Sequence, residues 1–114
     1  MLASDTVILI TRMGMGEADL ELQAKLIQTY FKLMDENNLL PAVICFYTEG
    51  VKLVVEGSPV LDSLRSLESK GVRLVICNTC LNFYELADQV VVGIKGGMTD
   101  ILEAQQRATK VITI

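Results

Sequence analysis

The feature that most constrains this chain is an alternation, in which apolar runs of strand length are separated by longer segments with helical spacing. Thr6-Val7-Ile8-Leu9-Ile10 is continuous and β-branched, the pattern of a strand buried on both faces. From Asp19 to Asn37, Leu20, Ala24, Ile27, Phe31 and Met34 recur at helical intervals. Leu26, Tyr30 and Leu33 widen that stripe, so the spacing predicts a heavily covered helix. Pro41 restarts the chain in extended geometry for Ala42-Val43-Ile44-Cys45-Phe46. Val51–Val55 fits either a strand or one buried helical turn.

Ser58-Pro59 reads as an N-cap followed by proline at the first helical position. Val60, Leu64 and Leu67 form the inner stripe, and Gly71 is the stop. Val72–Ile76 is the next strand, followed by a short helix around Thr79 to Leu86 and a strand at Val90–Ile94. A last helix, from about Met98 to Ala108, carries Met98, Ile101, Leu102 and Gln105 on one face, and Val111-Ile112-Thr113 closes the sheet. Strand–helix repetition implies right-handed crossovers. The expected architecture is α/β: one three-layer α/β/α domain over residues 1–114, with a mostly parallel five-stranded sheet.

Composition narrows the chemistry. The 114 residues include no histidine, which excludes Ser-His-Asp, Cys-His and zincin sites within the chain. Ten basic residues face fourteen acidic ones, for a net charge of −4, and only 5% of residues are aromatic; nucleic acid is not an expected partner. The apolar runs fall far short of the roughly twenty residues that span a bilayer, so no membrane is expected either. No basic residue precedes the first apolar stretch, and the cysteines number three, an odd count. Both argue against secretion and for a reducing cytoplasm.

In open parallel sheets, ligands bind beyond the carboxyl ends of the strands. Four segments reach that rim: Arg12-Met13-Gly14-Met15-Gly16, Tyr47-Thr48-Glu49-Gly50, Cys77-Asn78-Thr79-Cys80 and Lys95-Gly96-Gly97. The cysteine loop is the sharpest signal. A thiol where a strand gives way to a helix should ionise more readily, and two thiols three apart can close a disulfide or pass sulfur between them. Buried packing is the plainer alternative for both. Zinc is a weaker reading, because the pair supplies two ligands of about four and Cys45 sits within a strand. No metal or other cofactor is expected.

The remaining rim residues are candidates for a pocket lining around the thiols. Gly14 and Gly16 do not complete a dinucleotide fingerprint, because Asp19 stands where a third glycine belongs. They read as a tight turn. Gly96 and Gly97 allow close backbone approach. Arg12 and Lys52 could hold an anionic sulfur donor or favour the thiolate, Met13, Met15 and Met98 could form an adaptable apolar lining, and Glu49 could accept a proton. Gly50, Asn78 and Thr79 complete the set.

The segments Gly50-Val51-Lys52-Leu53-Val54-Val55-Glu56-Gly57-Ser58, Lys70-Gly71-Val72, Cys77-Asn78-Thr79-Cys80-Leu81 and Val92-Gly93-Ile94 resemble the DsrE/DsrF-like family. The likeness runs from Val7 to Ile114 and is greatest to the DsrE-like domain of YedF proteins, described as sulfurtransferase-like or selenium-metabolism proteins. That resemblance implies a layered α/β/α domain assembling into dimers, trimers or hexamers. It also implies sulfur carried as a cysteine persulfide between donor and acceptor proteins, with Cys77 at the sulfur-accepting position. Cys80 would resolve the persulfide or receive its sulfur. A thiol–disulfide redox protein and a non-catalytic oligomeric binding module are the alternatives.

Overall fold

The computed structural model describes residues 2–114. Five strands form one sheet: β1 (Leu2–Ile10), β2 (Leu40–Phe46), β3 (Arg73–Cys77), β4 (Ile94–Gly96) and β5 (Lys110–Thr113). Their spatial order is β4-β3-β2-β1-β5, and every neighbouring pair is parallel. Among the described residues the α-helices are α1 (Leu20–Glu36), α2 (Leu61–Ser69), α3 (Asn78–Phe83) and α4 (Met98–Arg107).

Side-chain alternation along the strands assigns the layers. Phe46 meets Phe31 of α1, with ring centroids 6.4 Å apart, and Ile8 lines a groove with Tyr30 and Met34. Val7 and Val43 point the other way and line a groove with Ala104 and Ala108 at the α4 side. The first three crossovers run in one direction across the sheet and the last returns. Right-handed connections therefore place α1, α2 and α3 on one face and α4 alone on the other. The expected α/β/α layering is present, with a wholly parallel sheet.

Several boundaries follow local chemistry. Asp19 and Asn37 flank α1 as expected. Gly71 ends α2 at φ +100°, with its N–H donating to Glu68 O and the Val72 N–H to Leu67 O. That is a Schellman stop, and buried Val72 and Leu67 supply its apolar contact.

Other expectations are corrected. For Val51–Val55 the strand alternative falls and the buried helical turn holds: a 3-10 segment spans Thr48–Val54, with Val51, Leu53 and Val54 buried. Helix α2 starts at Leu61 rather than Pro59, because Ser58 Oγ accepts from the Val60 N–H and closes a turn first. The run Val90–Ile94 is not one strand. Val90 bridges antiparallel to Val55, the Val91 N–H donates to Val54 O, and Gly93 at φ +85° redirects the chain so that β4 begins only at Ile94.

Helix α4 buries Ile101 and Ala104, leaving Met98 and Leu102 exposed. Likewise α1 buries Ile27, Phe31 and Met34 while Leu26 and Leu33 lie open, so that helix is not heavily covered within one chain. Among the described residues, no helix is long and apolar enough to cross a membrane.

Candidate functional site

Strand β3 is buried from Leu74 to Cys77 and passes directly into α3, whose first residue is Asn78. The Cys77–Cys80 segment is therefore not a loop, as expected from its sequence, but a strand end joined to a helical first turn. Helix α3 also begins one residue earlier and ends three earlier than expected, since Glu85 at φ +56° turns the chain after it. This junction sets the two thiols differently. Cys77 is only 2% exposed and pairs in register with Gly96 of β4, whereas Cys80 is half-buried. Asn78 and Thr79 lie exposed on the turn between them.

The two sulfurs interact. Burial pushes the Cys80 thiol up, its hydrogen bond to Cys77 pushes in the same direction, and the Thr48 N–H pulls it down. The net direction is upward. The Thr48 N–H donates to Cys80 Sγ at 3.1 Å. The Thr48 hydroxyl is anchored in turn on the carbonyls of Thr11 and Tyr47. Thr48 thus ties the chain leaving β1 and β2 to the sulfur that follows β3, at the rim where such sheets place their sites.

The other expected residues have more specific local tasks. Lys52 Nζ stands 3.7 Å from Glu49 and 4.5 Å from the centre of the Tyr84 ring. Arg12 Nη1 donates to Gly16 O at 2.7 Å, pinning the turn after β1. Neither cation contributes to the Cys80 shift, which is set by burial, Cys77 and Thr48. Lys52, Glu49, Arg12 and Met13 instead line one open cleft of about 550 Å³.

Gly14 is buried where a Cβ would strike Gln23, so its role is close packing against α1. Gly16 takes φ +79°, as its turn requires. Gly50 is buried against the Ile10 carbonyl. At the α4 start, the Gly97 N–H donates to Asp100 Oδ2, and Gly96 leaves no room for a side chain between Val75 and Asp100. Met98 is exposed rather than turned inward as a lining residue.

Thr48 is the site residue that sequence reasoning missed. It adopts φ +48°, a region that β-branched residues rarely enter, and no residue-type pattern marks such a position in advance.

Residues 6–114 match the profile of the DsrE/DsrF-like family. No curated protein matches the chain. Among solved structures, the ychN protein from E. coli is 14% identical, with a TM-score of 0.69 over 96% of this chain and 99% of its own. A protein of unknown function from Methanobacterium thermoautotrophicum, MTH1491, is 18% identical, with a TM-score of 0.70 over 97% and 99%. BT1422 from Bacteroides thetaiotaomicron, also of unknown function, is 14% identical, with a TM-score of 0.66 over 96% and 95%. Identities this low establish a shared fold.

Proposed function

This chain belongs to the DsrE/DsrF-like family, and from that premise we propose that it carries sulfane sulfur as a persulfide on Cys77, with Cys80 as its partner thiol. The observation that carries this reading is the adjacency of the two thiols at the β3–α3 junction, where Cys77 acts directly on Cys80. The Cys77 thiolate attacks the outer sulfur of a donor persulfide, R–S–SH. A Cys77 S–S bond forms, the donor's S–S bond breaks, and the departing thiolate RS⁻ takes up a proton. Sulfane sulfur moves without an external oxidant or reductant. Burial of Cys77 would then shield the persulfide from solvent reductants until an acceptor opens the turn at Asn78 and Thr79. Cys80 can attack the outer sulfur and receive it, or attack the inner sulfur, closing a disulfide and expelling hydrosulfide.

The reading sets the protein in a reducing cytoplasm, as a homo-oligomer, with protein donors and acceptors of sulfur. Exposed Leu22, Leu26 and Leu33 on α1 support the oligomer, since water-facing leucines aligned on one helix are surface that association would cover. To test the function, the protein is incubated with a small persulfide donor and its intact mass measured. Wild type should gain one sulfur, and Cys77→Ser should gain none. Equal loading of Cys77→Ser overturns the assignment.

The same adjacency supports a second reading, reversible dithiol–disulfide cycling. A redox titration separates the two, because a disulfide too unstable to form at cellular potentials removes the cycling reading.

A further inference from the structure

We propose that Thr48 is a positioning residue of the thiol pair, its backbone N–H holding the Cys80 sulfur in place beside Cys77. Three observations meet at this residue. Its N–H donates to Cys80 Sγ at 3.1 Å, which engages that sulfur as an acceptor and ties it to the chain after β2. Its backbone sits at φ +48°, a conformation that a β-branched residue rarely adopts and that persists only where the surroundings impose it. Its hydroxyl supplies that restraint by bonding to Thr11 O at the end of β1 and to Tyr47 O after β2. Strain, anchor and amide therefore lie on one residue, in the order nucleophile, partner and orienter that activated thiols require.

The inference deepens the sulfur-carrier reading and rests on it for its purpose, but its test does not need sulfur transfer. The charged side chains beside Thr48 are otherwise engaged, Glu49 with Lys52 and Lys52 with the Tyr84 ring. Cys77 is thus the neighbouring side chain that acts directly on Cys80.

Two measurements decide it. In wild type, the Thr48 amide resonance is followed by NMR from pH 6 to 11. It should titrate with the same midpoint as Cys80 alkylation, and a resonance that stays fixed through that midpoint overturns the proposal. In parallel, alkylation of each cysteine is read by peptide mass in wild type, Thr48→Val and Thr48→Ser. Thr48→Val loses the hydroxyl anchor. The higher of the pair's two apparent midpoints should then rise by about one pH unit, the loss of one hydrogen bond to a charged acceptor. Thr48→Ser keeps the anchor and should restore the wild-type value.

Coincident midpoints in Thr48→Val and wild type, or failure of Thr48→Ser to restore them, contradict the role. If Thr48→Val does not fold, the wild-type resonance alone decides. Persulfide loading of wild type, measured alongside, separates this outcome from the fate of the sulfur-carrier reading. Loaded sulfur with unmoved midpoints sinks only the positioning role, and moved midpoints without loading sink only the carrier.

Discussion

Cys45 and Cys80 are both held protonated by burial, yet their surroundings set them apart. Cys45 is fully buried in β2, and desolvation pushes its thiol from an ordinary 9.0 to about 11, with Arg73 opposing the rise and Asp100 adding to it. Access falls from half-buried Cys80 through Cys77 to Cys45, so in native protein alkylation should follow that order, a ranking that site-resolved mass spectrometry reads directly. The raised Cys45 value also makes a stability prediction. Below pH 9 the thiol is protonated in both folded and unfolded chains. Between 9.0 and about 11 only the unfolded chain ionises, so stability falls as pH rises. The loss reaches about 2 kcal/mol by the top of that window. Denaturant unfolding at stepped pH should show Cys45→Ala with a shallower alkaline decline than wild type, and equal slopes would refute the shift. At this scale the thiol pair was legible from its spacing. Thr48 was not, because its part depends on a backbone angle and a long-range amide contact.

At the scale of elements, α1 and α2 are tied through Asp35. Its Oδ1 accepts from Ser66 Oγ at 2.7 Å and lies 3.0 Å from Lys70 Nζ. Burial raises the Asp35 carboxyl, but the Ser66 and Lys70 bonds and the Lys70 charge outweigh it and hold the value below the usual carboxylate range. A lowered folded value contributes stability above the unfolded value and loses it as pH falls through the folded one. Asp35→Asn should thus cost about 1 kcal/mol at pH 7 and almost nothing once wild-type Asp35 is protonated, as chemical denaturation at the two pH values would show.

Gly93 makes a second test of an element. A Cβ there would stand 2.8 Å from Ile76 Cδ1 and 3.1 Å from Leu74 O, at φ +85°. Gly93→Ala should destabilise the fold by at least about 2 kcal/mol, and an unchanged melting temperature would contradict the turn. The same glycine explains why Val90–Ile94 misleads as a strand. Its apolar residues are needed for two partners, Val54–Val55 before the turn and β3 after it, and composition does not distinguish a strand from two short pairings. By contrast, α1 and the Gly71 stop were readable, because their signals are local: helical spacing, and a left-handed residue that only glycine accommodates freely.

The whole molecule leaves one sheet face under a single helix and a second face with a largely apolar groove beside α1, lined by Ile8, Tyr30, Leu33, Leu39 and Ile112. The stripe on α1 predicted as covered is open at this edge, which is why it reads as core in sequence and as surface in one chain. Self-association reconciles the two. Light scattering should give a mass above the 12.5 kDa of one chain, and Leu26→Glu should return it to that value. A wild-type monomer at working concentration would contradict the association.

The central claim, that sulfur is held on Cys77 with Cys80 as its partner, is tested most directly by locating the added atom. Wild type and Cys80→Ser are loaded with a small persulfide donor, the free thiols and persulfides are trapped by alkylation, and the peptides are mapped by mass. The account predicts one extra sulfur on Cys77 in both proteins, retained longer in Cys80→Ser because the resolving thiol is gone. Sulfur found on Cys80 alone, or on neither cysteine, would contradict it.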